Sequence, residues 1–267
     1  MATALLTVAL AAYAAATAAF LALLATRRPV LGAAGLAVAG AGLAIHFVSY
    51  GLDCAATHAM VVMSTRGSFS LLALLTVAVM LGLAARHALH ILGAFVLPFA
   101  LLATGIAAFA PLPGPPPEAL RGALFPLHVI TSYLGFAGFA AAFGVAIAYL
   151  VQEAELKSRK PQAVTFVLPS LDVLDRLGAG VALAGLAALA AGILTGVLFE
   201  QQTAHVWWTG EPKAVATLVS GAIYAVAFLL RSGFGWRGRR TAWLLIAGFL
   251  LALFTFAGLG HVPVKAA

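Results

Sequence analysis

Charged side chains are scarce in this 267-residue chain: Asp, Glu, Lys and Arg together make up 9% of it, against 63% for hydrophobic residues. Soluble domains carry about 25% charged residues, so a soluble fold of this composition would expose far more apolar surface than water tolerates. A bilayer removes the conflict, because there the exterior can be as apolar as the core. Cysteine is nearly absent, with Cys54 standing alone. That excludes an intrachain disulfide, and the lack of CxxC or CxxCH excludes a dithiol redox centre and covalent cofactor attachment. Cys54 itself reads as a small apolar residue near a helix end. HxxxH and HExxH spacings, a nucleophile–base set, a carboxylate pair and a phosphate loop are also missing, so the chain does not read as an enzyme. The net charge of +7 does not point to nucleic acid. The basic residues fall in short runs between apolar segments, which is how orientation is set in membranes, rather than on one surface.

What is present is a series of long apolar runs, each bounded by charge, Gly or Pro. They predict an all-α, polytopic membrane helix bundle forming one membrane domain over 1–267, with about eight spans near 4–25, 30–51, 68–85, 88–110, 125–151, 179–199, 214–231 and 241–260. Each approaches the 17–25 residues a span needs. The first run contains A-x-A patterns, but no Lys or Arg precedes it, so it is expected to be a retained span rather than a cleaved signal. With the N-terminus outside, eleven basic residues fall inside and four (Arg66, Arg121, Lys213, Lys265) fall outside. The positive-inside rule therefore predicts a multi-pass topology with both termini on the outer side, and the Ala- and Gly-rich composition is consistent with a plasma (inner) membrane. Residues 111–117 (PLPGPPP) predict a stiff outer turn. In the long inner segment, Ser170 is a plausible N-cap, and Leu171, Val173, Leu174 and Leu177 predict a short amphipathic helix on the inner surface. The basic turn GFGWRGRR at 233–240 is expected to fix orientation and to meet anionic headgroups.

Five of the seven histidines fall at or near the outer face: His46, His58, His128, His205 and His261. His87 and His90 lie on the inner side. His58, His87 and His205 read as ordinary interfacial polar residues. His46 differs because it lies within an apolar span, where an ionisable residue is costly and marks either a site or a hydrogen bond to a neighbouring helix, with Tyr50 one turn away as a polar companion. His128 and His261 flank the outer loop EQQTAHVWWTGEPK, whose Trp207 and Trp208 belong either to an interfacial aromatic belt or to an aromatic platform beside two imidazoles. A flat, metal-centred ring such as haem takes axial nitrogens from opposite sides and apolar edges around them, and imidazole is largely neutral at physiological pH.

Three stretches resemble the cytochrome c assembly family, the haem-handling membrane proteins of CcsA, CcmC and HemX type. They are LHVITSYLGFAGFAAAFGVAIAYL (127–150), GEPKAVATLVSGAIYAVAFLLRSGFGWRGRR (210–240) and AGFLLALFTFAGLGH (247–261). The N-terminal IHFVSYGLD, with the helix that follows it, is similar to the YpjD-like branch. The resemblance implies haem b held at the outer face, with His128 and His261 as axial ligands to the iron, His46 as the intramembrane His, and Trp207 and Trp208 as a partial platform. HVWWTGEPK corresponds to a Trp-rich family loop ending in W-D-P-K, with Glu211 in place of the Asp. A transmembrane His of many CcsA members falls on Leu229 here. The implied partners are the lipid bilayer and other cytochrome c maturation or membrane complex subunits. The alternative is a permease or accessory subunit of a transport system that shares the ancestry without the haem.

Overall fold

The computed structural model describes residues 1–87, 90–114, 124–158, 168–207, 210 and 212–258. Among these residues the chain is all helical: α1 (Ala2–Thr26), α2 (Pro29–Thr57), α3 (Thr65–His87), α4 (Gly93–Phe109, entered through a 3-10 turn at His90–Leu92), α5 (Leu124–Lys157), α6 (Leu171–Ala204), α7 (Pro212–Phe234) and α8 (Arg239–Gly258). Seven of the eight are long and apolar enough to cross a membrane by length and composition. The eighth, α8, opens on Arg239 and Arg240 and then runs apolar. The protein is a polytopic helical bundle.

The helices run alternately up and down, and their contacts sort the connections onto two ends. At one end Gly32 meets Leu23 and His90, Gly144 meets Phe95 and Val96, and Gly238 meets Tyr149. At the other, Ser49 Oγ donates to Ala2 O at 2.8 Å, Phe125 packs on Phe199, and Tyr133 of α5 meets Ser68 of α3. The described residues of every basic run expected inside fall on the first end, so the alternation of charge is also an alternation in space. α5 is the central element and the most buried of the seven candidate spans, and α7 the least. Phe99 and Phe143 both pack on Phe249, joining α4, α5 and α8. Phe139 stacks flat on Tyr224, whose hydroxyl donates to Leu245 O at 3.1 Å.

One feature differs from the sequence expectation. The amphipathic segment after Ser170 is not a separate surface helix; it is the first two turns of α6, which runs unbroken for 34 residues. Its charges are all paired, two of them on the exposed face of α6 and one against α7. Arg176 pairs with Asp172 one turn back, and Asp175 pairs with Arg231 of α7, each at 2.7 Å. Ser170 does take the N-cap position, though without a side-chain capping bond. Pro98 lies inside α4 without ending it, in keeping with the tolerance of Pro in packed membrane helices.

In the absence of a hydrophobic force between helices in lipid, small residues set how closely they approach. The α5–α6 seam is built on that rule. A Cβ at Gly138 would lie 2.8 Å from the Cα of Gly185, backbone against backbone. Gly138→Leu is therefore expected to part these helices and cost about 1–3 kcal/mol. The check is a thermal melt in detergent, with Gly180→Leu, which meets nothing within 4 Å, as the matched control expected to melt like the parent.

Candidate functional site

His128 stands one turn inside the described start of α5, on the face that meets α6. Its Nδ1 lies 2.7 Å from Gly192 O. A carbonyl oxygen can only accept, so Nδ1 is the protonated nitrogen and, in the neutral ring, Nε2 carries the lone pair. This is the arrangement typical of metal-ligating histidines, in which a backbone carbonyl fixes the tautomer and the ring orientation through the other nitrogen. The ring lies close against α6 because residue 196 is glycine: a Cβ there would come within 2.7 Å of both Cε1 and Nδ1. The sequence GILTG (192–196) thus supplies the acceptor and the space, one turn apart. His205 closes α6 as an exposed left-handed C-cap, φ 56°. Trp207, two residues on, is 64% exposed. Trp208 and His261 lie outside the described residues, as does Glu211.

His46 occupies different surroundings. It is fully buried among α1, α2 and α3, with Nε2 2.8 Å from Ser70 Oγ and Nδ1 3.3 Å from Tyr13 Oη. Both ring nitrogens are engaged within the protein, so a ligand role would require one of these bonds to be given up. The companion expected from sequence was Tyr50; the observed partners come instead from α1 and α3, because Tyr50 points one turn further out. Its hydroxyl is buried against the Cys54 thiol and makes no full hydrogen bond. Leu229, where the resemblance sets a transmembrane His of many relatives, is 61% exposed, a position directed away from the bundle.

The sequence reading missed an ion pair. Arg66 Nε donates to Asp53 Oδ2 at 2.8 Å, with the two side chains 1% and 7% exposed. Arg66 had counted only as a lone outer cation. The signal was available: His46, Ser49, Tyr50 and Asp53 fall at i, i+3, i+4 and i+7 of a helix that is otherwise apolar, which puts them on one face, and all four are buried. Together with Arg66 and Ser70 of α3 they form a buried polar group in the half of the N-terminal helices nearest the 58–64 connection. Among the described residues no cluster of three or more His, Cys, Asp or Glu could hold a metal ion.

The family model described as "Cytochrome C assembly protein" matches residues 62–262, three quarters of the chain. The chain belongs to the cytochrome C assembly protein family. Similar proteins include three called cytochrome c biogenesis protein CcsA. The one from Prochlorococcus marinus strain MIT 9215 is 27% identical over 139 residues, 52% of this chain and 41% of its own length. The one from P. marinus subsp. pastoris strain CCMP1986 / NIES-2087 / MED4 is 32% identical over 91 residues, 34% of this chain and 29% of its own. That from Synechococcus sp. strain RCC307 is 28% identical over 91 residues, with the same coverages. The chain thus spans less than half the length of these curated relatives. The family match takes in Arg66, His128, Trp207, Trp208 and His261; His46 and Asp53 precede it.

Proposed function

We propose that this protein is a haem-handling membrane protein of cytochrome c biogenesis type, which holds haem b without a covalent link at the outer face of the plasma membrane. His128 and His261 would hold its iron. Family membership supports the class of function. The observation that carries the site is the hydrogen bond from His128 Nδ1 to Gly192 O. In the neutral ring it selects the tautomer an iron ligand needs, near a helix end. The donor set fits the group, since imidazole nitrogen is an ordinary axial ligand of haem iron and Trp207 offers an aromatic edge nearby in sequence. When bound, haem supplies the iron's redox chemistry, and the protein sets ligation and access. The chain's own residues hold and orient: Gly192 fixes the His128 tautomer and Gly196 makes room for its ring. Other cytochrome c maturation subunits are the natural partners of such a function.

The positive-inside bias supports placing the His128 end outside. His46, buried with both nitrogens bonded, acts in this reading as an internal anchor for α1, α2 and α3, beneath the haem site.

The test is the absorption spectrum of the full chain purified in detergent. A Soret band is expected, and it is expected to weaken in His128→Ala. A preparation that stays colourless after incubation with haem would overturn this function and favour the permease reading.

A further inference from the structure

The turn between α7 and α8 forms a second candidate site, at the opposite end of the molecule. An open groove of ≈ 480 Å³ is lined by Gly235, Trp236, Arg237, Arg239, Arg240 and Trp243. Three of its six residues are cationic and none is acidic. The nearby carboxylates are engaged elsewhere. Asp175 pairs with Arg231 at 2.7 Å and accepts the Gly238 backbone N–H at 2.7 Å. Glu153 pairs with Lys157 at 2.7 Å and reaches Arg239 only at 4.0 Å. Among the described residues, no carboxylate answers Arg237 or Arg240.

The groove is preformed. Gly235 and Gly238 take left-handed backbone angles, φ 66° and 68°, which glycine adopts without strain. Gly238 is pinned by Asp175, and Trp236 O accepts from Thr241 Oγ1 at 3.2 Å. The Arg240 guanidinium lies 5.3 Å from the centre of the Trp236 ring, a cation–π contact that orders it over the turn. The exposed side chains on either side are apolar: Phe234 at 77%, Trp243 at 53% and Leu229 at 61%. These are surfaces a bilayer covers, so the groove sits where the acyl region gives way to headgroups, with a tryptophan on each side as interfacial residues have.

We propose that this groove is a binding site for the phosphodiester headgroup of an anionic phospholipid, with Arg237 and Arg240 as the phosphate ligands. Charge complementarity selects the anion, and the apolar flanks select a lipid over a free phosphate. The site is independent of the haem reading.

The experiment is native mass spectrometry of the full chain, purified in detergent and titrated with phosphatidylglycerol or phosphatidylcholine. The parent is expected to retain phosphatidylglycerol preferentially, and 10-fold excess inorganic phosphate is expected not to displace it. Arg237→Ala/Arg240→Ala is expected to lower that retention roughly tenfold or more. Arg27→Ala/Arg28→Ala, which removes the same charge from another turn at the same end, is expected to keep it. Equal losses in both double variants would mean diffuse attraction without a site and would overturn the proposal. So would a parent without preference, or ready displacement by phosphate. Arg240→Lys keeps the charge but lacks the planar group that stacks on Trp236, and is expected to fall between parent and double variant.

Discussion

Arg66→Ala is expected to be the most destabilising single substitution in the N-terminal half, costing about 3–5 kcal/mol, because it leaves Asp53 as a buried carboxylate without its partner. The pair is almost wholly shielded, 1% and 7% exposed, so water cannot take the place of the guanidinium. It also ties the end of α2 to the start of α3, across the short connection at 58–64. Asp53→Ala should lose a comparable amount by the mirror-image route, stranding the cation. The double variant Asp53→Ala/Arg66→Ala should recover much of either loss, since the worst state is the unpaired charge rather than the absence of the pair. Thermal melts of the four proteins in one detergent measure this directly. Simply additive losses would show that the two side chains stabilise separately and that the contact between them does not matter.

The second large effect is expected at a residue that need touch no ligand. Gly196→Leu inserts a side chain where even a Cβ would fall 2.7 Å from the His128 ring. The imidazole must swing out, and its bond to Gly192 O breaks. Disturbing the group that orients a ligating histidine typically lowers metal affinity about 10–100-fold, so haem content per protein should fall by that order although both proposed ligands remain. The measure is the haem-to-protein ratio after reconstitution, compared with Gly180→Leu on the same helix, which should bind like the parent. Unchanged haem content in Gly196→Leu would mean that the α6 contact does not orient the ligand.

Most of the fold was legible because apolar runs of span length have few alternatives in lipid. Basic residues between them repeat at one end of the bundle, so the loop-by-loop alternation was also readable. The merging of the amphipathic segment into α6 was not, because it depends on Asp175 finding Arg231 and the Gly238 N–H some 60 residues away. The candidate site divides in the same way. His128 stood out as an imidazole at a helix end. Its tautomer did not, since that follows from the register that lays Gly192 and Gly196 against α5. The Asp53–Arg66 pair was half visible: Asp53 lies on the His46 face of α2, but its partner lies across a turn whose path the sequence does not reveal. His46 was rightly singled out as buried, while its partners Tyr13 and Ser70 came from helix packing that periodicity alone could not select.

In the proposed function two imidazoles, His128 and His261, hold one haem. The low-temperature EPR spectrum of the ferric, haem-loaded full chain tests it most directly. A low-spin signal of bis-imidazole type is predicted, giving way to a high-spin signal in His128→Ala and again in His261→Ala. A low-spin signal that survives both substitutions unchanged would contradict it, and would place the iron on other ligands.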